Sequence, residues 1–181
     1  MAVIDPTRTW RPLEERLATT TSERQRVVLG IVIEHMKAES APDLDALMAT
    51  MAPNPNYHFW NGGKDTGPKG FDVLRQYYAD FVASRTNVLE FEIDRLVVDD
   101  DCVVTEGYLK QIYPGDVAVA AGLAQDASTA YLVVNRQLIL WPVDADGKLV
   151  AEDSYQSGPT SITAVAPADL PQAYVDIMAS A

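Results

Sequence analysis

The feature that most constrains the fold is a change in the spacing of apolar residues partway along the chain. Before Val88, apolar residues recur at helical spacing, and Val28, Ile31, Val32 and Met36 fall on one helix face. From Val88 onward, apolar and polar residues alternate, which is typical of strands with one face against a core. Because both patterns occur within 181 residues, the sequence predicts one α+β domain.

The predicted order of elements places helices first and a sheet last. Two helices precede a short strand at residues 57–60, and a third helix begins after Gly70. Four strands joined by hairpin turns follow, with a connection at residues 114–129 that is long enough to act as a lid. Helices gathered on one side of a curved, mostly antiparallel sheet predict a cone-shaped α+β barrel wrapped around the N-terminal helices.

The boundaries of the domain are predicted from composition and from the positions of prolines. We expect a partly helical N-terminal extension at residues 1–24 and the domain itself at residues 25–157. The remaining residues, 158–181, are expected to form a C-terminal tail, with a short helix near residues 172–178.

Charge and cysteine content restrict the partners and the compartment. The formal net charge is −12, so the surface repels both a phosphate backbone and an anionic membrane, and neither partner is expected. Cys102 is the only cysteine, which excludes an internal disulfide and suits a reducing compartment. Because the N-terminal residues contain no long apolar segment, we expect a cytoplasmic protein.

Three segments resemble a known family. HMKAESAPDLDALMATMAPNPNYHFW, at residues 35–60, is similar to the opening of nuclear transport factor 2-like proteins of the polyketide-cyclase (SnoaL), ketosteroid-isomerase and scytalone-dehydratase group. GPKGFDVLRQYYADF resembles the family's third helix, and LILWPVDADGKLVAEDSY resembles its final hairpin. The resemblance spans approximately residues 25–157 and implies a cone around a small-molecule pocket. It leaves the reaction open, since the family includes isomerases, dehydratases, epoxide hydrolases, cyclases, carbon–carbon lyases and non-catalytic binders.

His35 is the first catalytic candidate. In ketosteroid isomerases the corresponding helix position carries a tyrosine that donates a hydrogen bond to the substrate oxygen, so the resemblance implies that His35 points into the cone. A histidine with a pKa near neutrality can act there as an acid or a base, and Glu39, one turn later, could orient its ring. The alternative is a core histidine whose hydrogen bonds are satisfied.

The other candidates lie mainly on strands, because the family keeps its acids and bases on the cavity face of the sheet. Asp153 is an alternative base, and Tyr108, Tyr155 or Arg136 would stabilise an oxyanion. The candidates for substrate binding are Tyr57, Phe59, Trp60, Tyr78 and Met48. Side chains alternate along a strand, so either the odd or the even residues of 57–60 face the cavity. For each aromatic residue, ordinary core packing is the alternative.

The predicted function is that of a cofactor-independent lyase, either a dehydratase or a carbon–carbon lyase, or of an isomerase. Its substrate would be small and hydrophobic, aromatic or polyketide-like, and enclosed in the conical pocket. The resemblance places the base aspartate of ketosteroid isomerases near Phe59, but residues 57–60 contain no acid, which argues against steroid isomerisation. The two histidines lack metal-site spacing, so neither a metal nor an organic cofactor is expected.

Two non-catalytic alternatives remain open. The same fold could bind a small molecule without reacting with it, or could act as a scaffold that dimerises through its sheet face. We also expect a homodimer or a homotrimer, because sheets of this kind often expose an apolar outer face.

Overall fold

The structure, a computed structural model, describes residues 2–41 and 43–180, apart from the side chain of Ser180. Pro42, expected in the first turn of the second predicted helix, lies outside the described residues. The helices are α1 (Arg11–Thr19), α2 (Glu23–Ser40), α3 (Leu44–Ala49), α4 (Phe71–Ala83), α5 (Gly115–Ala120) and α6 (Gln172–Ser180). The strands are β1 (His58–Asn61), β2 (Lys64–Asp65), β3 (Leu89–Val98), β4 (Cys102–Tyr113), β5 (Ala130–Pro142) and β6 (Asp153–Val165).

All six strands form one open sheet in the order β2-β1-β6-β5-β4-β3. Neighbouring strands are antiparallel except β1 and β6, which run parallel with His58 opposite Asp153. The helix-rich first half and the hairpin-rich second half confirm the predicted α+β class.

Strand β6 continues beyond residue 157, where the sequence predicted its end. Gly158 has a φ of 77°, and Pro159 pairs with Asn135 where the register between β5 and β6 shifts. A proline is tolerated at such a bulge because the ladder hydrogen bond is already interrupted there. The Gly-Pro pair therefore bends the strand, which resumes and runs to Val165.

Helix α2 forms the centre of the core. The Ser22 side chain accepts a hydrogen bond from the Gln25 backbone N–H and caps the first turn. Val28, Leu29 and Val32 are fully buried, and the helix contacts β3 and β4 of the sheet as well as α1 and α3. This packing directs the last turn of α2 toward the interior of the protein.

The N-terminal residues predicted as an extension cover the free edge of β3. The Thr9 hydroxyl oxygen accepts a hydrogen bond from the Phe91 backbone N–H at 3.0 Å. Glu90 accepts from the Asp5 backbone N–H at 2.8 Å, and Leu13 is fully buried in the core. Thr9 therefore satisfies a backbone donor of the edge strand β3.

The connection between β4 and β5 has little regular secondary structure but is compact. It contains α5, and the Cα of Gly115 lies so close to the carbonyls of Ala127 and Thr129 that a Cβ there would clash. A movable lid at residues 114–129 stays a prediction. In the described part of the chain, no helix is both long and apolar enough to cross a bilayer.

Candidate functional site

A cavity of about 230 Å³ lies between α2, α4 and the inner face of the sheet. Its apolar wall consists of Met36, Phe59, Tyr77, Phe81, Leu89, Phe91, Leu109, Tyr113, Ile139 and Trp141. Its polar wall consists of Thr9, Glu39, Thr86, Gln111, Asn135, Gln137, Glu152, Ser154 and Gln156. A small, partly open cavity with apolar walls and a few converging polar groups is typical of a ligand site.

Two carboxyl groups, from Glu39 and Glu152, face this cavity. Glu39 lies in the last turn of α2, and Glu152 immediately precedes β6. Burial raises the pKa of Glu39 from 4.5 to about 7. Burial also raises the pKa of Glu152 well above its usual value, and the nearby negative charge of Glu39 raises it further.

The surroundings of the pair contain no compensating cation, since the cavity-lining residues within 2–41 and 43–180 include no lysine, arginine or histidine. No positive charge among these residues therefore favours ionising both groups, and the negative charge of Glu39 favours the protonated form of Glu152. One carboxyl can donate a proton at a pH at which the other can accept one. The described residues contain no group of three His, Cys, Asp or Glu side chains placed to hold a metal ion.

Asn135 gives the cavity a further polar group. It lies on β5 with Gln137, Ile139 and Trp141, which alternate with outward-facing residues along the strand. Its backbone pairs within the sheet, but no described protein atom hydrogen-bonds to its side-chain amide. That amide is available to a ligand oxygen.

His35 does not line the cavity, which corrects the expectation that it points into the cone. It is fully buried, and its Nε2 lies 3.1 Å from the Tyr78 hydroxyl oxygen. Its Nδ1 lies 2.8 Å from the Thr50 hydroxyl oxygen. Burial lowers the pKa of His35 to about 3, so the imidazole is neutral at physiological pH. Core packing turns this face of α2 toward α3 and α4, behind the cavity wall.

Four further catalytic candidates lie on the outer face of the sheet. Arg136 pairs with Asp94 and Glu106, and its guanidinium lies 4.8 Å from the Tyr108 ring centroid. The four are Tyr108, Arg136, Asp153 and Tyr155.

This outward placement corrects the expectation that they face the pocket. The inner residues of β6 are Ser154 and Gln156, so Asp153 and Tyr155 point outward. In β4 and β5 the odd-numbered residues face inward, which directs Tyr108 and Arg136 outward.

The candidates for substrate binding are divided among three locations. Phe59 lines the cavity. Tyr57 and Tyr78 are fully buried behind the wall, with their hydroxyl oxygens 3.1 Å apart, and Met48 is buried in the core. Trp60 lies on the outer face, stacked on Tyr155 with ring centroids 6.4 Å apart. The odd residues of 57–60 therefore face inward.

The sequence suggested Glu39 only as a group that orients the His35 ring, whose nitrogens instead contact Thr50 and Tyr78, and it did not identify Glu152. Glu39 follows His35 by four residues on α2, so a carboxylate on a largely apolar helix face was an available signal. Glu152 and Asp153 are adjacent acids at the start of a strand, and no local pattern distinguishes the inner one from the outer one. No local signal identified Asn135 either.

Solved structures with low sequence identity share this fold. A Shewanella putrefaciens CN-32 protein that carries the name SnoaL-like polyketide cyclase has a TM-score of 0.62 and 10% identity, over 100% of this chain and 98% of that one. An NTF2-like protein from Anabaena variabilis ATCC 29413 has a TM-score of 0.56 and 13% identity, and the match covers 77% of this chain and 94% of that one. SalBIII, an epoxide hydrolase/cyclase-like enzyme of pyran ring formation in the polyether salinomycin, has a TM-score of 0.56 and 15% identity. The match covers 77% of this chain and 97% of that one.

Comparison with curated proteins returns no match. A family model described as a SnoaL-like domain matches residues 32–152, well over half of the chain. The matched segment begins within α2 and ends at Glu152, so it includes both carboxyl groups of the cavity. The fold agrees with the resemblance seen in the sequence, and the chain belongs to the SnoaL-like domain family.

Proposed function

We propose that this protein is a lyase of the dehydratase type that acts by acid/base catalysis on a small, hydrophobic, oxygen-bearing ring compound. The observation that supports the proposal is the pair of carboxyl groups with raised pKa values in one small cavity. Pairs of titratable groups whose environments separate their pKa values are the usual sign of an acid and a base.

Glu39 is the base in this proposal and Glu152 is the acid. Ionised Glu39 removes a proton from the carbon next to a carbonyl group of the substrate. Glu152 gives its proton to the hydroxyl group on the neighbouring carbon, the C–O bond breaks, and water leaves as the C=C bond forms. Glu39 is then protonated and Glu152 ionised, and proton exchange with water restores the starting state.

Side chains on the sheet side of the cavity stabilise the developing negative charge and keep water out. The side-chain N–H of Asn135 is free to donate to the carbonyl oxygen, where negative charge develops as the proton leaves. Phe91 and Trp141 exclude water and offer apolar contacts to a ring. These features favour a polyketide-like or aromatic substrate that carries both a carbonyl and a hydroxyl group.

A second candidate reaction is the opening of an epoxide. The same acid would protonate the epoxide oxygen while the same base activates water or a substrate hydroxyl group. SalBIII, whose fold this chain shares, is described as epoxide hydrolase/cyclase-like. That description favours including epoxides among the test compounds.

The test uses purified protein with a panel of cyclic β-hydroxy ketones and a matched panel of epoxides. Dehydration is followed by the absorbance of the conjugated product and by mass spectrometry. For any compound turned over, Glu39→Gln and Glu152→Gln are each expected to lower kcat by at least about 100-fold. Glu34→Gln, an exposed carboxyl on the same helix, is the control and should leave kcat unchanged.

The pH dependence of kcat adds an independent check. Activity should rise as Glu39 ionises around pH 7 and fall at higher pH as Glu152 loses its proton. Turnover that survives in both glutamine variants would contradict the proposed acid/base pair. Tight binding without turnover across both panels would instead indicate a binding protein.

A further inference from the structure

The hydrogen-bonding contacts of the buried groups next to Glu152 determine which atom of each group carries or receives a proton. The Thr50 hydroxyl oxygen lies 2.6 Å from the Leu47 carbonyl oxygen, which can only accept, so Thr50 donates its proton there. The same hydroxyl oxygen lies 2.8 Å from His35 Nδ1. Because the Thr50 proton is already used, His35 Nδ1 must be the donor in this second contact.

This assignment determines what Tyr78 can offer to its other neighbours. Neutral His35 with its proton on Nδ1 has a lone pair on Nε2, and the Tyr78 hydroxyl group lies 3.1 Å from it. Tyr78 has one hydroxyl proton, which it donates to His35. The Tyr78 oxygen is then only an acceptor toward Glu152 Oε2, at 3.4 Å, and toward the Tyr57 hydroxyl group, at 3.1 Å.

We propose that His35 is a positioning residue that holds Glu152 in its protonated form by accepting the hydroxyl proton of Tyr78. A protonated Glu152 can donate to the Tyr78 oxygen, whereas an ionised Glu152 would face the lone pairs of that oxygen. This inference rests on the proposed function only in assigning Glu152 the role of acid. Without His35, Tyr78 would be free to turn its proton toward Glu152 and stabilise the carboxylate.

The negative charges of Glu39 from α2 and of the neighbouring Asp153 raise the pKa of Glu152, whereas a hydrogen bond donated by Tyr78 from α4 would lower it. Tyr77, also from α4, faces Glu152 as well. Nothing among the described cavity residues supplies a positive charge. Of these groups, Tyr78 is the one with a hydrogen-bonding contact to Glu152 Oε2, at 3.4 Å, so the direction of its hydroxyl proton affects the ionisation of Glu152.

The test measures the ionisation of Glu152 without any substrate. Side-chain carboxyl ¹³C resonances are followed against pH by NMR, and Glu152→Gln identifies the Glu152 signal. His35→Leu removes the acceptor for Tyr78 and should lower the Glu152 midpoint by about one pH unit or more. His35→Gln retains a side-chain oxygen that can accept from Tyr78, and its midpoint should stay near the wild-type value.

Two further measurements separate this inference from a general structural effect. In a His35→Leu/Tyr78→Phe double variant, the histidine substitution should no longer lower the midpoint relative to Tyr78→Phe alone. In the wild-type protein, long-range ¹H–¹⁵N spectra should show the His35 proton on Nδ1.

Several results would overturn the inference. The first is a proton on His35 Nε2 in the wild-type protein. The second is a Glu152 midpoint that is unchanged or raised in His35→Leu. The third is a decrease of equal size in the Glu152 midpoint when His35→Leu is added to Tyr78→Phe. The Nδ1 measurement needs no variant, so it remains decisive if His35→Leu fails to fold. Because none of these readouts requires turnover, failure of the proposed lyase activity would be seen separately.

Discussion

The ionisation of Glu39 is expected to destabilise the folded protein at neutral and alkaline pH. Burial raises its pKa from 4.5 to about 7. One pKa unit corresponds to about 1.4 kcal/mol, so the shift corresponds to about 3 kcal/mol of folding free energy. This is an upper value, because Glu39 keeps some accessible surface on the cavity.

The sign of this effect follows from proton binding. The folded protein binds the Glu39 proton more tightly than the unfolded chain does, so the favourable contribution is fully present below about pH 4.5. It is lost as the pH rises from there through about 7. A glutamine at this position cannot ionise, so Glu39→Gln should lack this loss.

Urea unfolding followed by tryptophan fluorescence at pH 5 and pH 8 measures the difference. Relative to the wild type, Glu39→Gln should gain up to about 3 kcal/mol in free energy of unfolding between pH 5 and pH 8. Glu34→Gln, at an exposed position on α2, should show no such gain. An equal effect of Glu39→Gln at both pH values would refute the argument, since Glu39 would then titrate as an ordinary exposed carboxyl.

Three stability predictions follow from packing and can be checked in the same urea experiment. Gly30→Ala should stabilise the protein by about 0.5–1 kcal/mol, because a Cβ on this helical glycine meets no atom within 4 Å; a loss of stability would contradict this. Gly107→Ala should destabilise it by at least about 3 kcal/mol, because the Cβ would lie 2.0 Å from the Glu92 carbonyl oxygen; near-neutral behaviour would show that the strands can separate there. Glu90→Ala should cost about 1–3 kcal/mol, because it removes a buried carboxylate that binds the Asp5 N–H, Arg8 and Lys110, and it should speed proteolysis of the N-terminal segment; unchanged cleavage would show that the segment is held by other contacts.

The fold class could be predicted from the sequence because the signals for it are local. The apolar spacing of α2 and the alternation in β3, β4 and β5 each depend on neighbouring residues in one element. Three consecutive aspartates at residues 99–101 are likewise typical of a turn, and they connect β3 and β4. The β6 extension was missed because Gly158 and Pro159 indicate a strand end unless the partner strand provides a bulge.

The sequence by itself determined that helices pack on a sheet and that a nuclear transport factor 2-like fold results. Only the tertiary structure decided which face of each strand closes against α2. Side chains alternate with a period of two, so an error of one residue exchanges the inner and outer faces, as happened for Arg136 and Asn135. The raised pKa values of Glu39 and Glu152 likewise arise from burial and, for Glu152, from the negative charge of Glu39, more than 100 residues away in sequence. Such properties exist only after the sheet and helices enclose the cavity, because the dielectric environment of a side chain is set by all of its neighbours in space.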